Sequence, residues 1–355
     1  MNHLSIKLLS WYRLSKRDLP WRHTSDPYAI MVSEIMLQQT RVDTVIPYYH
    51  NFLEHFPTVA SLAAAEEDEV LNLWKGLGYY SRGRNLHKAA KKIMTDHGGI
   101  FPQTFEQVRK LPGVGEYTVG AIMSIAFNQP YPAVDGNVLR VIARIHGINE
   151  DITLPETKER ITALVRKMIP DGHAGDFTQT LMELGATVCT PKSPMCEGCP
   201  VVQECWAFQN QHTDILPVKQ KKEKPAMQRF FALLLVDEQK ILLTRSHPGT
   251  LLKNLWGVPL IEADGETPSS TGDFNSQELH HKVLEKTGVQ LHQIRHIGKV
   301  RHIFTHRIWE MEVLHCTQCA YEVVNSNYQW VCLQNLNSLP IPSAFARVIG
   351  LLERI

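Results

Sequence analysis

The amino-acid sequence predicts two domains of different class: a mostly α domain over residues 1–215 and an α+β domain over residues 228–355, joined by a linker at 216–227. Three observations carry this division. Apolar residues recur at helical spacing in "PYAIMVSEIMLQQT", "EDEVLNLWKG" and "EYTVGAIMSIAF", with Gly and Pro between the segments. The stretch "LPVKQKKEKPAMQRF" is charged, bounded by prolines and has little to bury, as a linker requires. Beyond it the period changes. "RFFALLLV" and "KILLTR" read as paired strands across "DEQ", and "KVRHIFTHRIWEMEVLHC" carries further strands. "SQELHHKVLEKTG" reads as one helix closed by Gly288.

A chain of 355 residues that is 43% hydrophobic and 21% charged is globular, with length for two or three cores. No apolar run approaches a membrane span, and "MNHLSIKLLSWYRLSKRDLPW" lacks a signal-peptide core and cleavage site. The expectation is a cytoplasmic protein with no membrane partner, where clustered cysteines bind metal or do redox chemistry. The net charge of +1 shows no global basic excess. One window does: "KGLGYYSRGRNLHKAAKK" holds Lys75, Arg82, Arg84, Lys88, Lys91 and Lys92 and no acid. Beside a glycine-flanked tyrosine pair it suits phosphate contact and base stacking; the plainer reading is a solvated helix face.

In chain order, the first residue with chemistry is Glu34. Its helical neighbours Ile30, Met31, Leu37 and Gln38 are mostly apolar. A carboxyl in such surroundings is desolvated, which raises its pKa toward the range of a general acid. Next, "LPGVGEYTVGAI" places Gly113 and Gly115 around one apolar residue. That makes a tight turn between helices whose bare N–H groups can approach a phosphate, or else an ordinary helix–helix turn. Asp135 follows Gly115 by twenty residues, in "YPAVDGNVLRV", where Asp-Gly-Asn alone is turn chemistry.

"CTPKSPMCEGCPVVQEC" gathers Cys189, Cys196, Cys199 and Cys205 at C-x6-C-x2-C-x5-C, four of the chain's seven cysteines. Four thiolates can close a tetrahedral zinc site or hold a 4Fe–4S cluster. Zinc modules usually carry two C-x2-C knuckles, and this segment has one. Its uneven outer gaps suit a loop wrapped around something larger than one ion.

The ordered set of hairpin, proline loop, aspartate and cysteine loop resembles the two-lobed helix-hairpin-helix DNA glycosylases with a 4Fe–4S cluster loop at 189–205. Within them, "VSEIMLQQT", "GLGYYSR", "GVGEYTVGA" and "AVDGNV" are similar to the MutY-type adenine glycosylases, over essentially the whole chain. The resemblance implies an enzyme that removes adenine mispaired with 8-oxoguanine, and with guanine, from double-stranded DNA, acting as a monomer. It implies Glu34 as the acid that protonates an extruded adenine and Asp135 as the carboxylate that stabilises the sugar cation. Tyr117 and Asn137 orient the nucleophilic side, and Trp21, Arg22, Leu37, Gln179 and Met182 line the adenine pocket. It further implies a wedge at Tyr79, with Gln39, Thr40 and Leu77 as companions. Strand-cutting relatives place a lysine nucleophile where Tyr117 stands; a phenol cannot form an imine, which implies a monofunctional glycosylase.

The second domain resembles the Nudix-like domain of the same proteins. Aligned on Gly288, His281, Lys282 and Lys286 stand where the Nudix box needs Arg and two Glu, and only Glu285 remains. Lysines in place of carboxylates cannot hold a divalent cation. The expectation is a lesion-reading module, with Thr305 and His306 of "FTH" contacting 8-oxoguanine. Cys316 and Cys319 of "HCTQC" could form a redox or metal pair, but with no second knuckle nearby they read as buried, inert strand cysteines. Rival readings are an oxidised-pyrimidine glycosylase/lyase of the endonuclease III type, a non-enzymatic iron–sulfur DNA-binding protein, and a nucleotide pyrophosphatase.

Overall fold

The computed structural model describes residues 3–220, 225–248, 252–263, 277–317, 320–321 and 327–354. The chain divides into two compact units, Met1–Ala65 with Ser81–Lys222, and Glu66–Tyr80 with Glu223–Ile355. Residues 66–80 read from sequence as part of the first domain, yet they group with the second unit. There Asp68 pairs with Arg245, and the Tyr79 hydroxyl meets that of Thr305.

The helices before the linker are α1 (His3–Ser15), α2 (Pro27–Leu37), α3 (Val42–His55), α4 (Val59–Ala64), α5 (Glu67–Leu73) and α6 (Ser81–His97), followed by α7 (Phe105–Arg109), α8 (Glu116–Ile125), α9 (Gly136–His146), α10 (Pro155–Met168), α11 (Ala174–Thr187) and α12 (Trp206–Gln209). Their starts are chemically marked. Asp26 accepts from Tyr28 N and Ala29 N with Pro27 in the first turn of α2, and Thr58 and Ser61 form a capping box on α4. Gly147, left-handed at φ 66°, closes α9.

Two packing groups make up the first unit. In one, α2 is buried on every face from Tyr28 to Met36 and packs on α3, α6 and α8. In the other, α1, α9, α10 and α11 share a core that includes Leu8, Ile142, Ile161 and Phe177, and Val201 of the cysteine segment joins it. Helix α8 touches both α2 and α11, so residues at its start lie where the two groups meet.

The second unit is built on a mixed sheet. β1 (Ala226–Asp237) pairs antiparallel with β2 (Lys240–Thr244) and with β3 (Leu260–Glu262), and parallel with β6 (Arg307–Thr317). β5 (Gln293–Ile303) forms a hairpin with β6, and β8 (Tyr328–Cys332) flanks β2. A small pair joins β4 (Val289–Gln290) to β7 (Ala320–Tyr321). The helix α13 (Gln277–Thr287) buries Leu279 and Val283 with Leu233, Leu235 and Leu314, and α14 (Ser343–Ile349) follows the sheet. The pairing of β1 with β2 is the one the sequence indicates. The parallel pairing of β1 with β6 is not, because strand period carries no information about direction. Cys316 is buried in β6, and Cys319 lies outside the described residues.

Candidate active site

Glu34 sits in the last turns of α2 with 4% of its surface exposed. Burial pushes its carboxyl up to about 7, with the nearby Asp135 adding to the rise. Two groups pull the other way. Tyr117, at the start of α8, donates from Oη to Glu34 Oε2 at 2.6 Å, and the Arg22 charge favours the ionised form. The Tyr117 hydroxyl thus lies on Glu34, with Met182 Sδ 3.7 Å away. Burial, then Glu34 and Asp135, push the phenol well above its ordinary value.

Asp135 is the N-cap of α9. Its Oδ1 accepts from Asn137 N at 2.9 Å and Val138 N at 2.8 Å, and Oδ2 accepts from Asn137 Nδ2 at 2.9 Å. A helix N-terminus suits a negative charge. The turn chemistry read from Asp-Gly-Asn and the placement of a carboxylate are therefore one structure. Asn137 is held in turn: its Oδ1 accepts from Arg140 Nη2 at 2.9 Å, and α11 comes so close that a Cβ on Gly185 would stand 2.6 Å from Asn137 Cβ. Tyr117 and Asp135 line a cavity of about 420 Å³ with Tyr131, Leu139 and Arg166.

Of the expected adenine-pocket residues, Trp21 is buried edge-on to Tyr49 at 5.5 Å, while Leu37, Gln179 and Met182 are half-buried. Arg22 is held by Glu183, 2.7 Å from Nη2 to Oε2. Sequence reading missed Glu183 and Arg17, which bonds the same carboxylate. The pattern that marks Glu34, a carboxyl inside an apolar helix run, also fits Glu183 in "LMELGA".

Gly113 makes the hairpin turn. Its φ is 80°, and a Cβ would stand 2.8 Å from that of Asn85. Gly115 is different: its backbone is extended and a side chain there would meet open space. In the basic window, Arg82 is buried rather than available to phosphate. It donates to the carbonyls of Ile35, Met36 and Gln38 at the end of α2 and to Thr40 Oγ1. It thereby holds the turn in which Gln39 is left-handed at φ 57°. Tyr79 is exposed and also left-handed, at φ 47°, and Leu77 is buried.

The four cysteines line one cavity with Arg144, Leu184 and Val201. Burial, then Cys189, Cys205 and Cys196, push the Cys199 thiol up to about 11. Arg144 donates to Cys189 Sγ at 3.4 Å, Thr190 O at 2.7 Å and Leu216 O at 2.8 Å, and Arg140 donates to Cys189 O at 2.8 Å. Helix α9 thus carries Asp135 at one end and pins the cysteine loop with two arginines. Among the described residues, no three of His, Cys, Asp and Glu are spaced to hold a single metal ion.

In the second unit, Lys282, Glu285 and Lys286 of α13 line a cavity of about 500 Å³ with Glu262. Lys286 Nζ donates to Leu260 O at 2.8 Å, and Lys282 pairs with Glu278 at 2.9 Å. Thr305 and His306 are exposed at the tip of the β5–β6 hairpin.

Residues 32–169 match the HhH-GPD superfamily of base excision DNA repair proteins, and residues 231–351 match the NUDIX domain. The adenine DNA glycosylase of Mus musculus is 33% identical, over 98% of this chain and 77% of its own. That of Buchnera aphidicola subsp. Baizongia pistaciae is 30% identical, over 98% of this chain and 96% of its own. The chain belongs to the adenine DNA glycosylases. A solved structure of a thermostable thymine-DNA glycosylase aligns with this glycosylase at a TM-score of 0.54 and 31% identity, covering 58% of this chain and 95% of the other. The glycosylase is therefore a hydrolase of the base–sugar bond, from a family that acts on DNA. No helix among the described residues is long and apolar enough to cross a membrane.

Proposed function

We propose that this glycosylase removes adenine standing opposite 8-oxoguanine, and opposite guanine, in duplex DNA and leaves the strand uncut. The observation that carries the reading is the pairing of two carboxylates in different environments: Glu34, buried and raised to about 7, and Asp135, capped on three N–H donors. Glu34 gives its proton to the imidazole ring of an extruded adenine. The base–sugar bond breaks with its electron pair going to the base, and the sugar becomes an oxocarbenium ion. Asp135 stabilises that cation and traps it through one oxygen; water, losing its proton to the Glu34 carboxylate, then displaces Asp135. With Tyr117 on Glu34 there is no amine at that position to form an imine, which separates this chain from the lyase reading. Trp21, Arg22, Leu37, Gln179 and Met182 are the walls for the base.

Adenine is a normal base, so selectivity must come from the opposite strand and from the lower cost of extruding a mispaired base. Tyr79 is the wedge, with Gln39, Thr40 and Leu77 contributing to the lesion contacts and Thr305 and His306 reading 8-oxoguanine. Gln39 and Tyr79 support this: left-handed backbone at a non-glycine residue is strained, and strain of this kind gathers at functional sites. Gly113 and Gly115 take the backbone phosphate; Gly115 has no packing reason to lack a side chain. The lysines on α13 and their existing partners speak against Nudix hydrolysis.

Cys189, Cys196, Cys199 and Cys205 fit a 4Fe–4S cluster, since all four face one cavity with the Arg144 charge at Cys189. When bound, the cluster would supply structure, with Cys189, Cys196, Cys199 and Cys205 holding it as thiolates. We place the enzyme in the cytoplasm as a monomer on chromosomal DNA. Duplexes bearing adenine opposite 8-oxoguanine, guanine or thymine test the reading, each assayed with and without hot alkali. Cleavage at adenine only after alkali, strongest opposite 8-oxoguanine and absent opposite thymine, is expected. Cleavage without alkali, or equal processing of all three duplexes, contradicts it.

A further inference from the structure

We propose that Glu183 is a positioning residue for base removal: it clamps Arg22 and Arg17 beside the site and offsets the positive charge that Arg22 brings to Glu34. The inference rests on the reading of Glu34 as the acid. The Glu183 side chain is fully enclosed, and both oxygens are saturated by arginine. Oε1 accepts from Arg17 N and Arg17 Nε, each at 2.9 Å; Oε2 accepts from Arg17 Nη2 at 2.8 Å and Arg22 Nη2 at 2.7 Å. Arg22 is also fixed from its other side, where Nη1 donates to Arg17 O at 2.8 Å. Its side chain is 8% exposed, and its Nε is buried with no acceptor among the described residues. A buried donor of this kind is costly unless something arrives to accept from it, and an extruded base carries ring nitrogens that can.

The surrounding charges explain why a carboxylate is needed. Around Glu183 and Arg22 stand Tyr12 of α1, under the Arg22 guanidinium at 5.4 Å, Asp176 of α11, and Asp43 of α3, which acts on Arg17. Arg140 of α9 reaches Gly185 O on the same helix as Glu183. Toward Glu34 stand Tyr117 of α8 and Asp135 at the start of α9. Without Glu183, the buried Arg22 and the half-buried Arg17 would lose their shared counter-charge next to an acid that must hold its proton. Nearby uncompensated cations favour the carboxylate form. Burial alone would push the Glu183 carboxyl up, but the bonds from Arg17 and Arg22 hold it at about 2, so the counter-charge is present at any working pH.

The test is single-turnover base removal by full-length, iron-loaded protein across about pH 5 to 9, on duplexes with adenine opposite guanine or 8-oxoguanine, with duplex affinity measured alongside. Glu183→Gln should slow base removal on the order of tenfold or more through misplacement of Arg22 and should move the basic limb of the profile to lower pH. Duplex affinity should hold. Glu183→Asp should return the limb to its place and recover part of the rate. A folded Glu183→Gln with the wild-type limb overturns the inference, whatever its rate. If Glu183→Gln does not fold, Glu183→Asp decides: a slower rate with limb and affinity retained supports the clamp, and an unchanged rate overturns it. Glu34→Gln is run beside them. If it is active, the acid assignment fails and the inference with it; if it is dead while Glu183→Gln behaves as wild type, only the inference fails.

Discussion

Tyr117 Oη donates to Glu34 Oε2 at 2.6 Å, so the phenol is bonded to the carboxyl proposed as the general acid. That bond favours the carboxylate, against the burial that favours the acid. Tyr117→Phe removes the opposing effect and should push the Glu34 carboxyl higher. The proposed role of Glu34 requires its protonated form, so base removal should persist to higher pH, and the basic limb of the single-turnover profile should move up. A limb that stays put or moves down contradicts the role given to this hydroxyl.

The same burial has a consequence for stability. The Glu34 carboxyl is about 7 in the fold against 4.5 as its ordinary value. The folded chain therefore holds that proton more tightly than the unfolded one. The resulting stabilisation is complete below the unfolded value and is lost as pH rises through about 7. Glu34→Gln cannot ionise, so it should gain stability over the wild type at about pH 8 and little at about pH 5, by at most about 3 kcal/mol. Urea unfolding of both proteins at the two pH values measures it. An equal difference at both would show that Glu34 does not titrate in this range.

How far the sequence shows these arrangements depends on whether the cause is local. The cap at Asp135, the turn at Gly113 and the apolar run around Glu34 are local, and each is legible in a few residues. Asp-Gly-Asn reads as a turn and proves to be an N-cap that also fixes a carboxylate. Contacts between distant segments are not legible in this way. Arg82 reads as part of a basic face, but it is turned inward onto the end of α2. Glu183 becomes visible only when α11 brings it to Arg17 and Arg22. Residues 66–80 have helical periodicity that fits either unit, and the Asp68–Arg245 pair depends on a partner 177 positions away. The parallel pairing of β1 with β6 is likewise set by the packed sheet rather than by either strand.

The cysteine loop predicts a brown protein with about four irons per chain and a broad shoulder at the edge of the visible range. Anaerobic purification followed by metal analysis measures this. Stoichiometric zinc without iron overturns the cluster. Arg144→Ala removes donors to Cys189 Sγ and to two loop carbonyls, and it should speed loss of iron to a chelator while the chain remains folded.

Thr305 meets the Tyr79 hydroxyl at the tip of the β5–β6 hairpin. Thr305→Ala should reduce the preference for 8-oxoguanine over guanine opposite adenine by the equivalent of about 0.5–1.5 kcal/mol, one hydrogen bond, with little effect on base removal from either duplex at saturation. Tyr79→Ala should weaken binding to both, since stacking contributes roughly 1–3 kcal/mol per base. These point substitutions are cleaner than deleting residues 226–355, which would also strip residues 66–80 of their own unit. A Thr305→Ala protein with undiminished preference would place lesion reading elsewhere.

In the proposed mechanism Glu34 and Asp135 together break the base–sugar bond of an extruded adenine. Single-turnover release of adenine opposite 8-oxoguanine tests it most directly, for wild type, Glu34→Gln, Asp135→Asn and Asp135→Ala, with duplex affinity measured on the same preparations. Asn at 135 retains an acceptor for the first turn of α9, whereas Ala loses the cap and should cost about 0.5–2 kcal/mol of stability. All three variants should release no adenine within the wild-type reaction time, Glu34→Gln and Asp135→Asn should bind the duplex as wild type does, and only Asp135→Ala should be less stable. Adenine release by Glu34→Gln or Asp135→Asn at a rate near wild type, or loss of binding in step with loss of activity, would contradict it.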